Sequence, residues 1–287
     1  MSRVVIALMW LLHWLPFRGI GAVGAALGLL LYQINGERRN ASLTNLRLCF
    51  PHLSSAEIIG LAKRHFVAFA QSAVERGLLW WASPERLRKL IMIEGGEHLR
   101  ARDGQRLILV APHFVGLDAG WTRLTMEHEM ATMYAHVKDR TFDEVLLRGR
   151  ERFGQQQLLS RQDGLREALS AIKNGRPFYY LPDMDYGAKD ALFVPFFGVT
   201  SATITTVSRL ARITGARVRM VVTRRRRNGY VVSIDAPWEN YPSDNLETDT
   251  QRMNTLIEAE IMAGDVAQYF WSHKRFKTRP PGEKGVY

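Results

Sequence analysis

The sequence predicts an α/β protein with a mixed central sheet flanked by helices, preceded by an N-terminal hydrophobic helical region suited to anchoring in a membrane. Three observations carry this. After Gly95-Gly96, short apolar strands alternate with helical stretches, the pattern of a sheet covered by helices. From Val4 to Ile34 the chain is nearly all apolar. Between these regions, residues 38–92 read as helical. The expected organisation is an anchor over residues 1–36 and one folded domain over 37–287, and a chain of 287 residues is long enough to bury a full core.

As a single helix, Val4 to Ile34 would be roughly 45 Å long, more than the roughly 30 Å hydrocarbon core. Two readings remain: one tilted spanning helix, or two shorter pieces hinged near Pro16 and lying partly in the interface. Trp10, Trp14 and Tyr32 suit headgroup level. A buried helical hairpin and a cleaved signal peptide are weaker readings, the latter because apolar residues continue past any small-residue site. Arg38, Arg39 and Arg47 follow closely and favour a cytoplasmic location for the rest. Gly19, Gly21 and Gly24 spell GxGxxG, and Gly24 with Gly28 spells GxxxG. No strand precedes them, so a dinucleotide site is rejected in favour of close helix or lipid packing.

Within 38–92, Ser54-Ser55-Ala56-Glu57 offers a capping box before an apolar stripe from Ile58 to Leu78. Trp80 and Trp81 end the segment and read as core, with membrane contact as the alternative. Strands are expected over 106–111, 131–135, 177–182, 217–223 and 230–236. Helices are expected near 117–128, 140–153, 163–173, 202–214 and 248–263. Asn228-Gly229 between the last two strands signals a hairpin.

The net charge is +11 and the pI about 10.0, a balance that favours nucleic acid, anionic membrane or acidic protein and lipid partners. Arg224 to Arg227, at the hairpin, serve such a partner or form a solvated loop. The one cysteine, Cys49, excludes an intrachain disulfide and a Cys-rich zinc site.

The most informative stretch is His113-Phe114-Val115-Gly116-Leu117-Asp118, after the apolar run Leu107 to Pro112. On one straight helix, positions five apart point about 140° away from each other; across a strand-to-helix turn they can converge. A carboxylate beside an imidazole fixes its tautomer and stabilises its protonated form. Such a pair is a general base without its own nucleophile, suited to a hydroxyl brought by a substrate. Asp183, after the strand ending Tyr180-Leu181-Pro182, also lies at a strand end, where ligands of open α/β sheets gather.

Arg148 and Arg152 share a helical face and read as an anion clamp or a solvated basic face, with Arg150 pointing elsewhere. Asp183 and Asp185 form Asp-x-Asp. Two carboxylates are too few for a metal claim, so pairing with the arginines or fixing the active-site loop is preferred. Phe193 to Thr203 reads as a core strand and turn or as the wall of an acyl-chain groove. Aromatics interleaved with Lys and Arg from Tyr269 to Pro281 fit bases or lipid headgroups; with an apolar N-terminus in the same chain, the lipid reading wins.

These motifs together resemble the late acyltransferases of lipid A biosynthesis, lauroyl- or myristoyl-type members of the lysophospholipid acyltransferase superfamily. The match runs through Asn45 to Pro51, His113 to Asp118, Gly149-Arg150-Glu151-Arg152, Pro182 to Gly187, Phe193 to Gly198 and His273 to Pro280. It spans nearly the whole chain. The H-x4-D pattern alone is weakly specific; its combination with the Asp-x-Asp-Tyr-Gly loop and the Arg-Phe-Lys-Thr-Arg-Pro tail is far more so. The resemblance implies a bacterial inner-membrane enzyme with its catalytic domain on the cytoplasmic side. It implies an acyl carrier protein thioester as donor, a hydroxyl of a lipid A precursor as acceptor, inner-membrane lipid as surroundings, no cofactor and no nucleic acid. His113 carries over as general base, Asp118 as its partner, and Arg150 as a substrate-binding or charge-stabilising group. Arg152, Asp183, Asp185 and Gly187 stand in matching motifs and join it as substrate-binding candidates. An ornithine lipid or glycolipid acceptor is the alternative. A hydrolase lacks support, because no G-x-S-x-G elbow is present.

Overall fold

The computed structural model describes residues 2–99, 105–160 and 165–287. The first half contains α1 (Ser2–Leu12), α2 (Phe17–Ile34), α3 (Gly36–Cys49), α4 (Ser55–Trp81), α5 (Pro84–Leu90), β1 (Ile91–Glu94), β2 (Leu107–Val110), α6 (Leu117–Thr125), β3 (Ala131–Tyr134) and α7 (Arg140–Arg150). The second half contains β4 (Gln157–Ser160), α8 (Leu165–Lys173), β5 (Phe178–Tyr180), β6 (Ala191–Phe196), β7 (Val199–Ile204), α9 (Thr206–Thr214), β8 (Arg217–Arg226), β9 (Gly229–Ile234) and α10 (Leu246–Met262). The architecture is α/β with a central, mostly parallel sheet in the order β1-β9-β8-β2-β5-β3-β4. Within this sheet, among the described residues, only the β8–β9 pair is antiparallel; β6 and β7 form a separate antiparallel ribbon. The start of the helix expected over 163–173 lies outside the described residues.

Strand β2 shows why helices must cover both faces. Ile108 and Val110 enter one core cluster, with Val207 and Leu210 of α9 and Ile257 of α10. Leu109 and Ala111 enter the other, with Leu78 of α4 and Ala119 of α6. The period-2 alternation of a strand sends successive side chains to opposite layers, so an all-apolar strand needs two.

The N-terminal segment breaks at Pro16, which stands at the start of α2. Helix α2 then lies along α4. A Cβ at Gly24 would stand 2.5 Å from Gln71 Cα, and one at Gly28 2.6 Å from the Phe66 carbonyl oxygen. The glycines are therefore a helix-packing surface, in line with their small-residue spacing. On the outward side, Val23, Leu27, Leu30 and Ile34 are exposed. Helix α2 is long and apolar enough to cross a membrane.

Helix α4 begins with the expected capping box, Ser54 with Glu57. Trp80 is buried against Gly149, where a Cβ would meet its ring at 2.1 Å.

Several expectations need correction. Residues 91–92 are not helical: they open β1, which pairs with β9. Strand β4 carries little strand signal in the sequence: only Leu158 and Leu159 of its four residues are apolar, and Gln155 to Gln157 run into it. The helix expected from 202 begins at Thr206, because Val199–Ile204 pairs with β6. The cause is a two-residue turn at Phe197 and Gly198, both with positive φ, the backbone that a tight hairpin requires. Residues 193–203 are therefore mostly core ribbon: Val194 and Phe196 are buried.

Candidate active site

The site forms where two neighbouring parallel strands end. Val110 of β2 is paired with Tyr180 of β5. Three residues beyond each come His113 and Asp183, each directly after a proline, Pro112 and Pro182. Proline cannot donate to the ladder, so both strands stop in register and the next side chains meet. His113 Nδ1 lies 2.7 Å from Asp183 Oδ1, and the His113 backbone N–H donates to Asp183 Oδ2 at 2.8 Å. The carboxylate thus holds both the ring and its backbone.

The carboxylate is buried and the ring is not: the side chains are 1% and 18% exposed. Burial of Asp183 disfavours its charge. The His113 charge and its two hydrogen bonds outweigh burial, and the carboxyl is held below its ordinary range. The Phe270 ring stacks on the imidazole with centroids 6.3 Å apart, and the Phe270 N–H donates to the His113 carbonyl oxygen. Phe69 of α4 stacks in turn on Phe270, at 5.5 Å. The space directly beside the imidazole is only about 10 Å³, room for one water-sized group. Next to it, Phe69 lines a larger pocket of about 210 Å³, with Leu31, Asn35, Arg38, His65 and Ser272.

The expected partner of the imidazole requires correction. Asp118, in the first turn of α6, faces two arginines instead. Its Oδ2 is 2.6 Å from Arg76 Nε and its Oδ1 3.1 Å from Arg150 Nη2. Burial disfavours its charge, but the two guanidinium groups more than compensate and its carboxyl lies well below the usual range. The i+5 spacing fits a turn that brings the side chains together, but the opening of α6 directs Asp118 toward α4 and α7. Arg150, at the end of α7, is therefore a partner of Asp118.

The remaining candidates divide. Arg152 donates to the carbonyl oxygens of Leu79 and Ala82 at the end of α4, a helix-capping contact; Arg148 is exposed. Asp185 does not meet the arginines. Its Oδ1 accepts the Gly187 N–H at 2.9 Å and the Thr278 hydroxyl at 2.7 Å, and its Oδ2 accepts the Thr278 N–H at 2.7 Å. It ties its own loop to the C-terminal tail, so of the two roles left open above, pairing with the arginines or fixing the loop, its contacts match the latter. Gly187 supplies the positive φ of that turn, +93°. The tail also gives His273, whose Nε2 accepts the Asp185 N–H at 3.0 Å. Burial, and the charge of His113 after it, push His273 down to about 4. It is therefore neutral near pH 7, as an acceptor must be.

Sequence reading missed Arg76, Asn45 as a positioning group, and His65. Asn45 Nδ2 donates to the Trp271 and His273 carbonyl oxygens at 2.7 and 2.6 Å. His65 bonds the Ala267 carbonyl oxygen and the Ser272 hydroxyl; burial pushes it down to about 4. Both lock the tail segment that carries Phe270. The available signal was polar residues inside otherwise apolar helical stretches.

Among the described residues, no serine, threonine or cysteine lines the space beside the imidazole. A fixed imidazole without a protein nucleophile can take a proton from an incoming hydroxyl. Fold and site thus give an α/β protein with a carboxylate-held imidazole at the ends of its parallel strands. The chain matches the family model described as bacterial lipid A biosynthesis acyltransferase over residues 2–278, and it belongs to that family. It is 33% identical to the lipid A biosynthesis lauroyltransferase of Escherichia coli (strain K12), covering 98% of this chain and 93% of that protein. It is 31% identical to the palmitoleoyltransferase of the same organism (98% and 92% covered). The myristoyltransferase is 29% identical (92% and 82% covered). The chain is accordingly an acyltransferase of lipid A biosynthesis.

Proposed function

We propose that the protein moves a fatty acyl chain from an acyl carrier protein thioester to a hydroxyl of a lipid A precursor, with His113 as general base. The observation that carries this reading is the 2.7 Å contact of Asp183 with His113 Nδ1, in a chain of this family. Asp183 keeps the proton on Nδ1 and leaves the Nε2 lone pair for the acceptor hydroxyl. His113 removes that proton as the oxygen attacks the thioester carbonyl. The tetrahedral intermediate collapses with loss of the thiolate, which takes the proton back from the imidazolium. A thiol is a far stronger acid than an alcohol, so this departure needs little assistance. Arg150 supplies positive charge for the oxyanion, together with Arg76: the two carry one positive charge beyond what Asp118 neutralises. The Phe69–Phe270 faces and the adjoining pocket offer apolar wall for a substrate chain.

The enzyme works at the bacterial inner membrane, with residues 1–36 as anchor and residues 37–287 as the catalytic domain on the cytoplasmic side. The exposed apolar face of α1 and α2 and the following Arg38, Arg39 and Arg47 support this. Because α2 lies along α4 (Ser55–Trp81), which bears Lys63, Arg64 and Glu75, the two-piece interfacial arrangement fits better than a lone crossing.

The test is His113→Ala, purified and given acyl carrier protein thioesters and a lipid A precursor, with product mass as readout. Transfer is expected to vanish while membrane association persists. Transfer at the parental rate refutes the assignment.

A further inference from the structure

We propose that Lys63, Arg64, Arg226 and Arg227 form a second ligand site, apart from the His113 centre, that takes the phosphate of an anionic lipid lying against α2. The four residues line a pocket of about 490 Å³ between α4 and the β8–β9 turn. Lys63 and Arg64 are consecutive residues of α4 that both reach the pocket, while Arg226 and Arg227 stand at the hairpin tip. Their neighbour Arg225 is already neutralised: its Nη2 is 2.6 Å from Glu75 Oε1. Among the described residues, none of the four has a carboxylate partner in an ion pair; Lys63 lies over the face of Tyr32, at 5.8 Å. One carboxylate, Asp265, also lines the pocket, and it is engaged by the Ala267 N–H. Four cations therefore face one anion in a concave site, an unmet demand for negative charge.

The apolar surroundings select a lipid over an acidic protein. Leu29 of α2 forms one wall and is itself half exposed. Val23, Leu27, Leu30 and Ile34, on the other flank of the outward face of the same helix, are exposed as well. A phosphate seated among the guanidinium groups leaves hydrocarbon tails alongside α2. Arginine pairs with phosphate oxygens through two N–H groups at once.

The full-length protein is tested by sedimentation with three vesicle types: phosphatidylcholine alone, phosphatidylcholine in which part is replaced by phosphatidylglycerol, and phosphatidylcholine carrying a lipid A precursor. The parent is expected to prefer both anionic types. Arg226→Gln/Arg227→Gln, changed at an exposed turn, is expected to lose about 30-fold in affinity for anionic vesicles, with phosphatidylcholine binding unchanged and a shallower salt dependence. The phosphatidylglycerol and precursor arms tell bulk phospholipid from acceptor as the natural source. The phosphatidylglycerol arm is independent of the catalytic assignment. An unchanged preference in the double variant overturns the proposal. So does an equal loss in Arg166→Gln/Lys173→Gln on α8, which would show a bulk charge effect. Displacement of the vesicles by millimolar inorganic phosphate without any preference among anionic lipids overturns it as well, as does weakened acyl carrier protein binding with vesicle binding intact.

Discussion

Replacing Asp183 with Asn tests which carboxylate governs the imidazole. Asp183 accepts two hydrogen bonds from His113, one from the backbone N–H and one at Nδ1. An asparagine offers one oxygen and one NH2 group in the same place. If the oxygen faced the ring, the NH2 would confront the backbone N–H and leave a buried donor orphaned, at about 1–3 kcal/mol. The favoured orientation gives the oxygen to the backbone and the NH2 to Nδ1. The ring then holds its proton on Nε2, the tautomer that cannot act as base toward the acceptor. Wrong-tautomer variants of this kind lose about 10³–10⁴ in turnover, equivalent to about 4–5.5 kcal/mol at the transition state. Neutralising the carboxylate also removes a charge that the fold favours despite its burial, so some stability is lost with it. Asp118→Asn should act chiefly on stability. It leaves Arg76 and Arg150 facing each other without an anion, at about 2–4 kcal/mol, towards the low end because both guanidinium groups keep some contact with solvent. The assay is single-turnover acyl transfer with each variant in detergent, normalised to folded protein by thermal melting. The reasoning fails if Asp183→Asn retains more than about a tenth of parental turnover. It fails equally if Asp118→Asn melts like the parent yet loses transfer to the same degree as Asp183→Asn.

Stability should fall as the pH drops from 6.5 towards 4. His65 and His273 are pushed down to about 4 by burial, so the unfolded chain binds protons in this window that the folded chain refuses. Each contributes about 1.4 kcal/mol per pH unit; melting temperatures across the window test this, and His273→Gln should flatten the slope by about half. Gly28→Leu drives a side chain into the Phe66–Val67 backbone and should cost at least about 1–3 kcal/mol. Gly60→Ala, on the same α4 and with nothing within 4 Å of the added carbon, should instead stabilise by about 0.5–1 kcal/mol. Melting curves that rank the two glycine variants in the other order would contradict the packing described for α2.

The central sheet was legible wherever the strand carried its own signature. Leu107 to Val110 is wholly apolar, and the β8–β9 hairpin advertises its turn through Asn228-Gly229, with Gly229 also required because a Cβ there would stand 2.0 Å from the Leu90 carbonyl oxygen. What failed was local ambiguity settled by distant partners. Thr200 to Ile204 is equally compatible with a helix start, until β6 supplies its ladder. Arg224 illustrates the same limit. It belongs to a run that reads as one basic loop, yet strand alternation buries it against Glu260 at 2.6 Å and sends Arg225 to Glu75 on the other face. Only the last two arginines of the run reach the exposed turn.

Spacing along the chain points to Asp118 beside His113, while the fold sets Asp183 there. Spacing along a chain reports on neighbours through a turn, and five residues from His113 the turn delivers Asp118. Contact across a sheet depends on which strands adjoin and in what register, and seventy residues separate His113 from Asp183. That register is nonetheless written twice in the same form. An apolar strand, a proline and an acid–base residue occur as Val110-Ala111-Pro112-His113 and as Tyr180-Leu181-Pro182-Asp183. Given that β2 and β5 are parallel and that Val110 faces Tyr180, equal offsets force the two side chains to the same level above the sheet. Parallel strands reverse nothing, so residues at equal distances past a paired position stay paired in height. A repeated strand–proline–polar pattern is therefore a better guide to a composite site in a parallel sheet than a short motif within one turn.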